Sequence, residues 1–598
     1  MMKKMIASLG LSLVALVSSY AATPVEYTVR MSEPHTHYFE VEMTVSDLKA
    51  DELNFTMPVW APGSYLVREF SKSVEDFAAQ NSGGKPLNWE RTDKNTWTVQ
   101  TRGAKKVTVM YRVYAYEMSV RTSYLNTSHG YFNGTSIFMY VEDHKDLPAI
   151  VKIEPFEGWN MVSTGLKQLR GQKWTYTAPD YDVLVDAPFE VGTHEEWEFS
   201  AAGLPHRVAM YGWGNYDDKD QVMQDMAKVV EACTEVFGEN PNDDYLFIVQ
   251  NLTNGSGGLE HLNSTTLQVN RWTYGPGRYN SFLGLAAHEY FHLWNVKRIR
   301  PEALGPFDYQ NENYTHHLWV MEGFTSYYAD ILLMRAGFKS EDDFLNSYFG
   351  TVSRVESQPG TRVQSMAMAS FEAWIKAYRP NENSYNTTIS YYSKGEVLAG
   401  LLDLIILHET KGEKNLDDAM QILYNDIYKK KGRGFTTEEL IAVFEEVAGI
   451  EMDDWFDRYV FGVEVPDYET IYGYAGLNVS NSMEGNNEPH FGARMNGSME
   501  VSGVARGTTA YDGGINVEDE IIAINGFRVS SDSQLERHLS EAGVGGTIKV
   551  TVSRDNVLQT LTMEVKNDPG VRMNIEFQPN MSALQTTVLK QWLRKMGE

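Results

Sequence analysis

Apolar and polar residues alternate through residues 23–205, in runs such as Tyr38-Phe39-Glu40-Val41-Glu42-Met43-Thr44-Val45 and Lys106-Val107-Thr108-Val109-Met110-Tyr111-Arg112-Val113. A period of two sends successive side chains to opposite faces of a strand, and the Gly, Asn and Pro clusters between the runs supply turns. An antiparallel β domain is therefore predicted over 23–205. From 206 to 479 the period lengthens: residues 222–237, 282–297, 316–334, 395–409 and 437–448 carry apolar residues at helical spacing. Residues 480–489, rich in Asn, Ser, Gly and Glu, read as a linker. A further domain is predicted over 490–568, with a strand and turn around 513–526, a helix at 533–542 and a strand at 547–554. The tail, 569–598, ends in a short basic amphipathic helix at 586–596 with no assignable role. The expected fold class is multidomain α+β.

The first residues change the picture at the N-terminus. Lys3 and Lys4 precede an apolar stretch at 5–17, and Ser18-Ser19-Tyr20-Ala21-Ala22 offers small residues for cleavage, so 1–22 reads as a secretory signal peptide. The mature protein is expected to be exported to the periplasm. No later segment supplies the ~20 apolar residues of a membrane span, and no cysteine near the cleavage site could take a lipid. Cys233 stands alone, cannot form an internal disulfide, and is expected as a buried thiol. The formal charge of -28 argues against a nucleic-acid partner. With 598 residues, 42% of them hydrophobic, the chain has material for several cores.

The candidate chemistry lies in two of the predicted helices. His288 and His292 sit at i and i+4, about 40° apart around a helix axis, so both project from one face and can grip one metal ion, with Glu289 beside them. Glu322 lies in the next helix among Leu318-Trp319-Val320-Met321 and Phe324, which predict burial, and a buried carboxylate needs a cation. Two imidazoles and a carboxylate suit one zinc ion with an open position for water. Glu289 is then the expected general base, able to return the proton to a departing amine.

His288-Glu289-Tyr290-Phe291-His292-Leu293-Trp294-Asn295, taken with Glu322-Gly323, resembles the gluzincin metallopeptidases, specifically the glycyl aminopeptidase family. Gly257-Gly258-Leu259-Glu260-His261 is similar to the glycine-rich strand whose glutamate binds the substrate amino group. Tyr391-Tyr392-Ser393-Lys394-Gly395 is similar to the segment whose tyrosine hydrogen-bonds the tetrahedral intermediate. Trp60-Ala61-Pro62-Gly63-Ser64-Tyr65 and Asn295-Val296-Lys297-Arg298-Ile299-Arg300-Pro301 look like the same branch, so the likeness spans most of the mature chain. The resemblance implies a thermolysin-like catalytic domain, Tyr392 as transition-state donor, and Glu260 with Gly257 and Gly258 as the amine-binding element. It also implies a preference for glycine or alanine at the first position. The gap before Glu322 is longer than in the larger relatives, which implies an inserted loop around 300–313. The run Gly513-Gly514-Ile515-Asn516-Val517-Glu518-Asp519-Glu520 resembles a PDZ domain, which implies capture of a peptide or protein C-terminus, with Phe491-Gly492-Ala493-Arg494 as the candidate carboxylate loop. Packing of that domain against the catalytic part is the alternative.

The leading functional expectation is a zinc aminopeptidase acting on peptides with a free N-terminus. An acidic anchor for the ammonium group favours an exopeptidase, since an endopeptidase must leave that side open. A zinc endopeptidase on the same site, or a PDZ-based peptide-binding or quality-control protein with a weak hydrolase site, are the alternatives.

Overall fold

The computed structural model describes residues 23–597; the expected signal peptide at 1–22 lies outside the described residues. The alternating runs form strands as their period requires. Val25–Arg30 buries Val25, Tyr27 and Val29 and turns Glu26 outward. It pairs with Tyr38–Ser46 antiparallel and with Ala149–Glu154 parallel, inside a seven-stranded sheet. Two four-stranded sheets complete this N-terminal part, around a core that includes Phe39, Val41, Val109, Tyr111 and Phe132.

The catalytic part is built on a five-stranded mixed sheet in the order Glu195–Ala201, Leu204–Tyr211, Tyr245–Leu252, Ser264–Asn270, Gly258–Glu260. The 205/206 division expected from sequence falls inside the strand Leu204–Tyr211. Its hairpin partner Glu195–Ala201 belongs to the same sheet, so the change of sheet comes before Glu195. Period-two alternation continues across that point, which is why the strand pattern alone did not mark it.

Helices pack on this sheet. α1 (Lys219–Phe237) is capped by the Asp218 side chain and closed by Gly238 in the left-handed region. Beside it runs α2 (Tyr279–Phe291), against which Cys233 is fully buried. The helix expected over 282–297 ends at Phe291, and His292 to Pro301 continue as turns whose amides bond back to backbone carbonyls and which side chains tie to their surroundings. Arg298 Nη1 donates to the Leu293 carbonyl at 2.6 Å and Asn295 Nδ2 to the Val320 carbonyl at 2.9 Å. The expected helix over 316–334 is a π-turn, Trp319–Phe324, followed by α3 (Thr325–Arg335). α4 (Glu341–Ser357) and α5 (Tyr391–Glu409) complete the scaffold of the site.

The C-terminal part departs most from expectation. The expected linker is not all loop: the strand Leu477–Asn481, which pairs with Met573–Phe577, takes in its first two residues, and Pro489 begins another strand. That module has a four-stranded sheet, an Asn525-Gly526 turn with both residues at positive φ, and the helix Asp532–Ala542 packed through Leu535 and Leu539. Asn386 joins it to the catalytic part, donating to the Val504 carbonyl and accepting from the Arg506 amide, both at 2.7 Å. The tail helix α6 (Ala583–Trp592) lies against α5 rather than free in solvent. Trp592 is 1% exposed, and its indole donates to the Tyr327 hydroxyl at 2.8 Å. Among the described residues no helix is long and apolar enough to cross a membrane.

Candidate active site

α2 carries His288 one turn before its end and His292 at its C-cap. Nε2 of His288 lies 3.4 Å and Nε2 of His292 3.3 Å from Oε2 of Glu322. With zinc bonds of about 2.0–2.1 Å to nitrogen and 2.0–2.2 Å to oxygen, the edge of a ligand tetrahedron is about 3.3–3.5 Å, so both imidazole nitrogens already stand at that distance from Glu322, and all three atoms lie within 4.8 Å of one another. His292 Nδ1 faces the Asn295 carbonyl at 2.6 Å, which assigns the proton to Nδ1 and leaves Nε2 as the metal-binding nitrogen. The Asn295 side chain also donates to the Val320 and Met321 carbonyls and to Thr325 Oγ1. One asparagine thus ties the turn after His292 to the π-turn that presents Glu322.

A backbone contact places the next group. A Cβ on Gly323 would stand 2.4 Å from Gly395 Cα, and one on Gly395 would stand 2.7 Å from the Trp319 carbonyl oxygen. Only glycines allow α5 and the π-turn to touch there. That contact brings Tyr392, near the start of α5, to the metal face, with its ring centroid 6.3 Å from that of His288.

Glu289 and Glu260 crowd the same face: one oxygen of each and a ring nitrogen of His292 lie within 4.8 Å of one another. Glu289 is 5% exposed, and its Oε2 has no hydrogen-bond partner among the described residues. Burial drives its carboxyl well above the usual range, against the His292 charge and with help from Glu260 and Glu322. Burial would also raise Glu322, but His292 first and then His288 hold it low. Burial opposes charge on both imidazoles. It prevails at His288, whereas Glu322 and Glu260 raise His292 to about 10, so ion binding there must displace a proton. Gly258 begins the edge strand, and a Cβ there would lie 2.2 Å from Glu289 Oε1. Gly63, at φ 83°, reaches in from the N-terminal part, and a Cβ on it would meet Glu260 Oε1 at 2.6 Å. Glu260 is 4% exposed. Glu260, Glu289 and Glu322 thus share one cavity of about 590 Å³.

The structure gathers His288, Glu289, His292, Glu322, Gly257, Gly258, Glu260 and Tyr392 around this cavity. It adds residues that no local pattern marked: Arg121, from the N-terminal part, and Asp330, Lys339 and Glu396. Gly63 was legible only as part of a family-like segment. The 300–313 loop forms the seam between the two parts: Trp60 Nε1 donates to the Asp308 carbonyl at 2.8 Å and Lys145 Nζ to the Phe307 carbonyl at 2.6 Å.

Comparison with known proteins matches this arrangement. The Peptidase M61 N-terminal domain matches residues 26–193, M61 glycyl aminopeptidase matches 281–398, and a PDZ domain matches 476–565. The crystal structure of an aminopeptidase N family protein from Idiomarina loihiensis is 32% identical, aligning 95% of this chain with 100% of that one at a TM-score of 0.86. The M1 zinc metallopeptidase from Deinococcus radiodurans is 14% identical over 74% of this chain and 95% of its own, at a TM-score of 0.48. No curated protein sequence matches. The M61 glycyl aminopeptidase match contains His288, His292 and Glu322, and the likeness to the Idiomarina protein covers 95% of the chain. The chain therefore belongs to the M61 glycyl aminopeptidase family of zinc metallopeptidases, and carries a C-terminal PDZ domain.

Proposed function

We propose that the protein removes N-terminal residues from peptides, with His288, His292 and Glu322 holding one zinc ion. When bound there, zinc supplies a Lewis acid for the scissile carbonyl and makes a water acidic enough to deprotonate near neutral pH. Glu289 takes that proton on its unpartnered Oε2 and returns it to the departing amine. The Tyr392 hydroxyl donates to the oxygen that gains charge in the transition state. Glu260 receives the substrate ammonium group, and the side-chain-free backbone at Gly257 and Gly258 lets the substrate approach the edge strand.

The observation that carries this reading is the pair of imidazole nitrogens, each at tetrahedral-edge distance from one Glu322 oxygen, beside a buried base with an unpartnered oxygen. Gly63 seated against Glu260 supports an exopeptidase, because it fills the space beyond the amine anchor. That crowding, with the family resemblance, also supports a small first residue such as glycine or alanine. The signal-like N-terminus supports export to the periplasm. The PDZ domain is proposed to take an extended chain end by strand addition.

Two chromogenic substrates test the proposal, one with a free N-terminal alanine and one N-acetylated. Cleavage of the free-amine substrate alone, lost with a chelator and restored by zinc, is the expected result. Cleavage of the blocked substrate would make the enzyme an endopeptidase, and cleavage of neither would leave the PDZ domain as the functional part.

A further inference from the structure

The catalytic cavity has a neighbour of opposite charge. A second cavity of about 440 Å³ shares Arg121 and Tyr392 with it and is lined by Lys376, Gln358, Gln364 and Ser390. Among the described residues no carboxylate lines it. The catalytic cavity holds Glu260, Glu289 and Glu322, and the whole chain carries a formal charge of -28, so this cationic wall runs against both its surroundings and the protein.

Arg121 is the group that joins the two spaces. It lies between the strands Lys106–Tyr114 and Ser123–Leu125, so it reaches the site across the seam from the N-terminal part. Its Nε is buried without a hydrogen-bond partner among the described residues. Lys376, by contrast, is paired with Glu372 at 2.6 Å. Arg68 repeats the pattern nearby: its Nη2 donates to Ser64 Oγ at 3.0 Å, its Nε has no partner, and burial and then the Arg121 charge lower its guanidinium. Two neighbouring guanidinium groups with unsatisfied donors are costly unless an anion meets them. Glu260 and Glu289 act on Arg121 only at range, and both already have tasks in the proposed chemistry. A planar guanidinium with free donors matches a carboxylate in two parallel hydrogen bonds.

We propose that this cavity is a subsite for a substrate carboxylate, bound by Arg121, with the Lys376–Glu372 pair at its edge. The inference rests on the aminopeptidase reading of the adjoining site. Two sources share the chemistry: an acidic side chain on the first residue, or the terminal carboxylate of a short peptide. The first would extend the substrate range beyond the small residues that the family resemblance implies.

The test uses the full, zinc-loaded protein and two substrate pairs that differ in charge: glutamyl- against glutaminyl-p-nitroanilide, and tri-alanine against its C-terminal amide. The acidic member of at least one pair should be favoured tenfold or more in kcat/KM. The first pair reports the side-chain source and the second the terminal source. Arg121→Met should reduce that ratio to within about twofold, and comparing two substrates on one enzyme cancels any general loss of activity. If that variant does not fold, Arg121→Lys and Lys376→Met should each lower the ratio. Ratios near one for both pairs in the wild type, or a preference that the variants leave unchanged, would overturn the subsite. Failure of the wild type to cleave any free-amine substrate would instead overturn the aminopeptidase reading beneath it.

Discussion

Gly258→Ala tests the seating of the general base with a single methyl group. The added Cβ would lie 2.2 Å from Glu289 Oε1, 2.4 Å from Cδ and 2.6 Å from Cγ, where carbon contacts normally need about 3.5 Å. The clash involves the stem of the side chain as well as its tip, so rotating the carboxylate does not relieve it. Glu289 must withdraw by about 1 Å, a displacement that costs on the order of a hundredfold in rate, or about 2.7 kcal/mol of barrier. Gly258 does not have the positive φ that would strain an alanine, and replacing glycine in a strand should stabilise the fold by about 0.5–1 kcal/mol where space allows. Here the clash cancels that gain, since overpacking costs about 1–3 kcal/mol, so the variant should melt somewhat lower but stay folded and keep bound zinc, while kcat for an alanyl substrate falls about a hundredfold and KM changes little. Gly257→Ala is the control: nothing lies within 4 Å of its Cβ, but φ is 101°, so its cost should appear as lost stability and not as a blocked base. A folded Gly258→Ala enzyme with kcat within about threefold of wild type would refute the claim that this glycine makes room for Glu289.

Glu260→Ala should lower kcat/KM on free-amine substrates by about 2–5 kcal/mol of transition-state binding; undiminished activity in the same assay would remove Glu260 as the amine anchor. Trp592→Ala should destabilise the protein by about 3–5 kcal/mol, because a side chain 1% exposed and flanked by Phe344 and Tyr348 leaves a cavity and its hydrogen bond to Tyr327 is lost; a denaturant titration measures it, and a loss below about 1 kcal/mol would mean that the tail is dispensable. Burial pushes the Asp403 carboxyl up to about 6 from its ordinary 3.8, so between those values the folded state binds more protons than the unfolded state. Its contribution to stability is thus fully present below the unfolded value and is lost as pH rises through about 6. Asp403→Asn should flatten that part of the curve of melting temperature against pH, and an unchanged slope would assign it to other groups.

What the sequence determined by itself is local. The i, i+4 spacing of His288 and His292 is a property of one helix, and the alternation of Val25, Tyr27 and Val29 is a property of one strand. Glu322 could be read as buried because its own neighbours are apolar, and the Asn525-Gly526 turn because its chemistry lies in two adjacent residues. Each rests on a period of 3.6 or 2, or on a dipeptide, and needs no knowledge of what packs against it. Tertiary structure decided which of these faces meet. The helix expected through 297 ends at Phe291: the Asn295 and Val296 amides still reach back to Phe291 and His292, while the Asn295 side chain ties the following turn to the π-turn of Glu322, a contact that no local pattern marks. Gly63 reaches Glu260 and Arg121 reaches Tyr392 from a part of the chain far upstream, and no periodicity marks a glycine or an arginine for such a contact. Likewise the tail reads as an unassigned basic helix, yet Trp592 ends fully buried against Phe344 and beneath Tyr327, because burial depends on the surface offered by α4 and α5 and not on the amphipathicity of the tail alone.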